Sequence, residues 1–285
     1  MVTRTYQERF RTLQGVFDAF TQRNLFELES RRVYDELVMP IKVGKESNVF
    51  IAKRMGSKRT ENKETENQWR EGKLTEGKVK ENKEKDSKKN ASKENESREK
   101  EKYVIVKIYR IQNCDFKRMF HYIIQDPRYD ELRQHRREII FSWVQREYKN
   151  LLKAAKAGVN VPKPLGWRAH ILVEELIGDA KEGSAAIPLK DALPSNPKKF
   201  FSLVVEEMKK LHRAGLIHGD LSSFNILNYK EKPYFIDFSQ ATLATTPNAR
   251  ELLERDVKNV LQFFKKLGVS VDANEIVKEI MDESK

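Results

Sequence analysis

The chain has 285 residues, of which 39% are hydrophobic and 34% charged, with a formal net charge of +12 and a single cysteine. That length can bury a substantial core in one or two domains, while the high charge points to a globular part diluted by a solvated one. No apolar run approaches about 18 residues and no signal stretch follows Met1, so a soluble, cytoplasmic protein is expected; lone Cys114 excludes an internal disulfide and a multi-cysteine zinc site and fits a reducing compartment.

Residues 1–40 read as helical, with Val16, Phe17 and Phe20 and then Leu25 and Leu28 at near-helical spacing and a stop at Met39-Pro40. This segment is expected to pack on the sheet that follows and is too short to be a DNA-binding domain. Residues 41–174 read as an N-terminal lobe that opens with strand, tight turn and strand. Ile41 and Val43 precede Gly44, Lys45, Glu46, Ser47 and Asn48, and Val49, Phe50 and Ile51 follow. Such a turn can lay backbone N–H groups and one lysine over phosphates. A plain hairpin turn has the same composition, and the further glycines of a kinase glycine-rich loop and a Walker A pattern are both missing.

Residues 57–102 hold 15 Lys and Arg against 12 Asp and Glu, with Trp69, Leu74 and Val79 as the sizeable apolar groups. That tract cannot bury enough surface to offset its conformational entropy and is expected to be a disordered or weakly helical insertion between two strands. Its net charge is +3, which leaves +9 of the +12 on the rest of the chain. Such a field favours a polyanion, RNA or a nucleotide, and is equally compatible with a soluble basic protein that has no nucleic-acid partner.

Residues 103–110 alternate so that Val104, Val106 and Ile108 share one face and Lys107 falls among Tyr103, Ile105 and Tyr109 on the other. A lysine in such a strand either reaches solvent or needs a charged partner, because an unpaired buried ammonium is costly. The amphipathic helix expected over 132–157 offers one, because Glu147 lies on its apolar stripe with Ile140, Trp143, Val144 and Leu151. An edge-of-stripe glutamate facing water is the alternative. Between them, Phe116 to Arg128 interleaves aromatic and basic residues, either for RNA or a partner surface or for packing of a helix. Residues 169–177 read as a strand ending in Glu174, Glu175, Leu176 and Ile177, beyond which backbone groups can bond an adenine. A helix over 200–214, with Leu203, Val204, Met208 and Leu211 inward, leads to the densest chemistry in the chain.

There, Leu216, Ile217, His218, Gly219, Asp220, Leu221, Ser222, Ser223, Phe224, Asn225, Ile226 and Leu227 are followed by Tyr234, Phe235, Ile236, Asp237 and Phe238. Phosphoryl transfer needs positioning and charge neutralisation more than covalent help. Asp220 to orient a hydroxyl or water, with Asn225 and Asp237 to hold magnesium, would supply both, at the spacing of a kinase catalytic loop and its metal-binding aspartate. A polar turn between two strands is the plainer alternative. His218 is expected to brace the loop and not to act as a base, and no Cys/His cluster points to zinc. Two helices, near 250–267 and 274–282, complete the chain. The 48 residues after Asp237 are too few for an activation segment and peptide-binding lobe, and Gly219 stands where ordinary protein kinases carry an arginine.

On these residues the chain resembles the RIO family of atypical serine protein kinases, and within it the type-1 branch in an archaeal-like form. The match rests on residues 44–50, the strand with Lys107, residues 116–128, 146–151 and 218–222 with Asn225, and 236–240, and it spans the chain from about Phe17 onward except the insertion. The resemblance implies an α+β, bilobal protein-kinase-like fold whose truncated C-terminal lobe, 175–285, lacks an activation segment and peptide-binding subdomain. It implies ATP with Mg2+ or Mn2+, serine autophosphorylation, and a role as kinase or ATPase switch in late maturation of the small ribosomal subunit. The partners would be the pre-small-subunit particle and its rRNA, with neither DNA nor membrane.

By position, Lys107 and Glu147 would anchor phosphates and Asp220 would be the catalytic aspartate. Asn225 and Asp237 would hold metal, with Asp237 also a candidate acceptor of the phosphoryl group. Gly44, Lys45, Glu46, Ser47, Asn48 and Val49 would cover the phosphates, and Glu175 and Ile177 would bind adenine through their backbone. Two features depart from the family: Lys42-Val43 stands where Ser-Thr is common, and the insertion interrupts the sheet, which a long surface excursion tolerates. Three other readings stay open. Small-molecule kinases resembling aminoglycoside and choline kinases share the motifs but need a larger C-terminal lobe; a tRNA-modification-complex kinase leaves 116–128 unexplained; a ribosome-binding scaffold would hold ATP only as a structural ligand.

Overall fold

The computed structural model describes residues 17–55, 102–112 and 114–282. The expected insertion, apart from Lys102, and Val16 lie outside the described residues. Among the described residues no helix is long and apolar enough to cross a membrane.

The chain enters through helix α1, Ala19–Ser30, capped by Asp18, whose side chain accepts from Thr21 N–H at 2.7 Å. Leu25 and Leu28 are fully buried. The helix does not continue to Met39-Pro40 as its spacing suggested: Arg32 turns into the left-handed region at φ 55° and strand β1 already runs over Glu36–Val43. Proline is tolerated in β1 because this is an edge strand whose register slips on both sides of Pro40. Strands β2, Ser47–Arg54, and β3, Lys102–Tyr109, extend the antiparallel sheet. Helix α2, Phe116–Ile124, a single turn at Pro127–Tyr129 and helix α3, Arg136–Lys156, follow. α3 begins later than its apolar pattern implied, because His135 is still extended at ψ 126°.

Strands β4, Pro164–Arg168, and β5, Ile171–Glu175, close the sheet in the order β1-β2-β3-β5-β4. The single strand expected over 169–177 is thus a hairpin turning at Ala169, φ 50°. Its first arm was hidden in a proline-rich run, and Pro164 fits there as the first residue of an edge strand. One sheet face, with Phe50, Val104, Val106, Ile108 and Val173, packs under Leu25, Leu28 and Tyr34. The other carries Lys107 beside a small apolar group of Ile51, Ile105, Leu176 and Val49.

In the C-terminal lobe, β6 (Gly178–Asp179), β7 (Ser184–Ala185) and β8 (Ile187–Pro188) precede helix α4, Pro197–Arg213. Phe200, Val204, Val205, Met208 and Leu211 of α4 are buried, whereas Leu203, expected inward, is half-buried. Then come β9 (Leu216–Ile217), β10 (Ile226–Tyr229), β11 (Lys232–Phe235), β12 (Thr242–Leu243), α5 (Ala249–Lys265) and α6 (Ala273–Asp282). β10 and β11 join through Lys230-Glu231, both at positive φ, the turn whose twist suits a hairpin. β9 pairs with β12, so the two site loops leave one narrow base.

Truncating Leu28, which is buried under the sheet, removes packing that α1 makes with the N-terminal lobe. Leu28→Ala is expected to lower unfolding free energy by about 2–5 kcal/mol, read by urea denaturation; a loss under about 0.5 kcal/mol would show that α1 is not part of that core.

Candidate active site

The side chain of Lys107 leaves β3 on the face opposite α1 and meets two carboxylates. Its ammonium lies 2.9 Å from Glu147 Oε1 and 3.0 Å from Asp237 Oδ1. Glu147 comes from the middle of α3 and is almost fully buried, and its other oxygen accepts from the Tyr109 hydroxyl. Burial alone would lower the pKa of Lys107, but Asp237 and Glu147 outweigh it and hold the ammonium well above its ordinary range. Desolvation likewise works against ionisation of Asp237, yet the adjacent Lys107 keeps its carboxyl far below the usual range. The Asp237 side chain remains 40% exposed, so it reaches the open side of the cleft.

Asp237 has φ 64°, a strained conformation for a residue with a side chain. Asn225 approaches from the next loop: its carbonyl accepts from Ile236 N–H at 3.0 Å, and its amide donates to the Asp220 carbonyl at 2.8 Å and to Asp220 Oδ2 at 3.3 Å. Burial first, and the nearby Asp237 charge second, push the Asp220 carboxyl above its ordinary range. Lys107, Glu147, Asp237, Asn225 and Asp220 therefore form one connected cluster drawn from four separate stretches of chain.

What holds the Asp220 loop is a residue the sequence did not single out. Asp256, on α5 and 1% exposed, accepts from Gly219 N–H at 2.7 Å and Leu221 N–H at 2.8 Å. Arg255 donates to the Gly219 carbonyl, and Gly219 sits at φ 75° where a Cβ would come within 2.9 Å of the Gln240 carbonyl oxygen. His218 has the bracing place expected of it. It is buried between Phe235 and Phe238, with Nε2 3.0 Å from the Ile236 carbonyl, and burial lowers its pKa to about 4.

A second brace starts in the 116–128 segment. Met119 and Ile123 pack inward, while Lys117, Arg118, His121 and Arg128 stay on the surface. Buried Asp126 pairs with Arg128 and with Arg146 of α3, and Arg146 Nη1 donates to the Ser239 carbonyl at 3.3 Å. Asn150 donates to the Ala241 carbonyl at 2.8 Å. α3 thus grips both Lys107 and the chain just beyond Asp237.

The turn expected to cover phosphates is tight: Gly44 N–H donates to the Ser47 carbonyl at 3.0 Å, and a Cβ on Gly44 would stand 2.8 Å from that oxygen. Lys45 and Glu46 are exposed, and Ser47 and Val49 half-buried. Asn48 is fully buried, alternates onto the Phe50 face away from Lys107, and accepts from Arg110 at 3.2 Å. Its side chain therefore fixes the turn and leaves backbone N–H groups for any phosphate. Glu175 N–H donates to the Lys163 carbonyl at 2.9 Å and the Ile177 carbonyl accepts from Ala186 N–H at 2.8 Å, so both expected base-binding residues have part of their backbone engaged by the fold. Glu174, beside them, is a buried carboxyl that sequence reasoning passed over; burial and nearby Glu147 push it up to about 8.

Among the described residues no group of three or more His, Cys, Asp or Glu could hold a metal. One carboxylate, Asp237, and one amide oxygen, Asn225, make an incomplete, all-oxygen set. That suits Mg2+, which keeps water and substrate phosphate in its shell, and does not suit a caged structural ion.

The RIO domain profile matches residues 90–276. A RIO-type serine/threonine-protein kinase Rio1 of Haloferax volcanii is 32% identical over 269 residues, 94% of this chain and 77% of the relative. Its namesake from Methanocaldococcus jannaschii is 34% identical over 278 residues, 97% of this chain and 79% of the relative. Among solved structures, the Rio2 kinase from Chaetomium thermophilum superposes with a TM-score of 0.58 at 20% identity, over 91% of this chain and 66% of that one. The same enzyme as an ADP/Mg2+-phosphoaspartate complex gives 0.56 at 20% identity, over 90% and 64%. The α+β, bilobal kinase-like fold expected from the motifs is the fold observed.

Asp256→Ala would leave two buried N–H groups without acceptors, and is expected to cost on the order of 3 kcal/mol of stability; urea denaturation reads it, and a change under about 0.5 kcal/mol would remove Asp256 as the loop's anchor. Folded Glu174 keeps a proton that the unfolded chain, with an ordinary value of 4.5, releases. The unfolded state then binds fewer protons, so the contribution of Glu174 to stability falls as pH rises from about 4.5 to about 8. Glu174→Gln is expected to flatten that part of the stability profile, and an unchanged slope would contradict the assignment.

Proposed function

Because the chain belongs to the RIO family of atypical serine/threonine protein kinases and is of the Rio1 type, we propose that it uses ATP and Mg2+ at the Lys107 cluster, as kinase and ATPase, during late maturation of the small ribosomal subunit. The observation that carries the chemistry is the buried ammonium of Lys107 held between Glu147 and Asp237. It presents one fixed positive charge toward the cleft, where a triphosphate's charge must be balanced. When bound, Mg2+ would neutralise charge building on the phosphoryl oxygens and would be held by Asp237 and Asn225.

The protein's own groups divide the remaining work. Glu147 and Tyr109 fix where the Lys107 ammonium points. Backbone N–H groups of the Gly44 turn, with Lys45 at its exposed tip, border the phosphates. Val49, Ile51, Ile105 and Leu176 form an apolar group on the Lys107 face, against which the base would lie, with the Glu175 carbonyl and Ile177 N–H at its outer end. Asp220, steadied by Asn225 and pushed toward a higher pKa, orients the hydroxyl of a serine or of water and takes up its proton. The Rio2 complex with ADP, Mg2+ and phosphoaspartate supports a second acceptor, the carboxylate of Asp237 itself.

A basic rim supports an RNA-containing partner. Lys117 and Arg118 of α2 and Arg136 and Arg137 at the start of α3 are exposed, and the Arg118 charge is felt at Asp220. The experiment is ATP hydrolysis and autophosphorylation with and without pre-small-subunit particles, comparing the native chain with Asp220→Ala and Asp237→Ala. Each variant is expected to lose about 10²-fold or more in turnover while still binding the particle. Equal rates in all three would overturn the enzymatic reading.

A further inference from the structure

We propose, resting on the ATP reading above, that Glu174 selects adenine among nucleobases by bonding its 6-amino and N7 edge. Three observations lead there. Glu174 is 9% exposed, and among the described residues its carboxyl makes no hydrogen bond or ion pair. A largely covered polar side chain that no protein group engages is open to a ligand.

Its position is the second observation. Glu174 of β5 lies directly opposite Ile105 of β3. Opposed residues share a sheet face, and alternation places Lys107 on that face too, while Val104 and Val106 pack under α1. The neighbouring strand adds Val49 and Ile51, opposite Lys107 and Ile105, to the same face. Glu174 therefore shares one sheet face with the apolar group and Lys107, one residue before the Glu175 backbone. A base whose outer edge meets the Glu175 and Ile177 backbone turns its next edge toward this carboxyl.

The third is chemical. Burial, the Glu147 charge and Asp237 favour the neutral acid, and Lys107, the one cation acting on it, does not reverse this. A neutral carboxyl offers one O–H donor and one carbonyl acceptor. Adenine presents an amino donor and the N7 acceptor side by side, a complementary pair, as in the bidentate pairing of glutamine with adenine. Guanine presents two acceptors there, O6 and N7, so the carboxyl's carbonyl oxygen would face a lone pair.

The test is binding of ATP, GTP and 7-deaza-ATP, each with Mg2+, to the full chain and to its Glu174→Gln and Glu174→Met variants, by calorimetry. The native chain is expected to prefer ATP to the other two by about tenfold or more. Glutamine keeps the donor and acceptor and should keep the preference. Methionine should bring the three nucleotides within about twofold of one another, while the unliganded variant melts at a higher temperature because an unpartnered polar group is gone. Native ratios in Glu174→Met, or an equal loss of all three nucleotides, would overturn the proposal. A native chain that binds none of the three would instead bring down the ATP reading itself.

Discussion

The structure depends on one buried ammonium. Lys107 is 7% exposed, and a cation so placed must be paired where it stands. Its partners come from α3 and from the loop after β11, which are 40 and 130 residues away in sequence. Satisfying that one charge therefore fixes the sheet, the long helix and the C-terminal lobe against one another. Breaking a buried pair by removing one partner typically costs about 3–5 kcal/mol, so the cluster proposed to do the chemistry is also a joint of the fold.

The joint is stiffened from behind by polar contacts instead of apolar ones. Arg146, paired with Asp126, reaches the Ser239 carbonyl and Asn150 the Ala241 carbonyl, while Asp256 reaches the N–H groups of Gly219 and Leu221. Both loops are backbone running close to the core, where unpaired N–H and carbonyl groups would be costly. Side chains from α3 and α5 supply the missing partners. Only eleven residues separate Asp237 from α5, so the segment after Asp237 is a short strap held at several points. It leaves no room there for a long mobile activation loop.

The Lys107–Glu147 pair was legible in sequence because both residues break an otherwise regular pattern: a lysine on a buried strand face and a glutamate on an apolar helical stripe. Asp220, Asn225 and Asp237 were legible through spacing. Asp256 was not, since an aspartate in an amphipathic helix looks like any solvated residue until its helix is seen to dock beneath a loop. Nor was the start of β1, where local helical spacing lost to pairing with β2, or β4, disguised by prolines that only an edge strand accepts. Asn48 belonged to the right turn, but period-two alternation aims its side chain at Arg110, away from the cleft.

The residues nearest the site also carry the fold's least comfortable features. Asp237 is held in the left-handed region, the Glu174 carboxyl makes no hydrogen bond among the described residues, Asp256 is raised by burial to about 7, and Nη2 of Arg146 lacks a hydrogen bond among the described residues. Each persists because the large core around α3, α4 and α5, with Trp143, Phe200, Phe238 and Phe264 at its centre, over-determines the backbone. Strain and unmet polarity gathered at one cleft mean that a bound nucleotide has more to gain there than an equivalent surface would offer. Its phosphates would meet a cation already largely desolvated, and its base a carboxyl that no protein group engages. Affinity in such a site would come from costs already met during folding, which would link the stability of the C-terminal core to the chemistry proposed at Asp220.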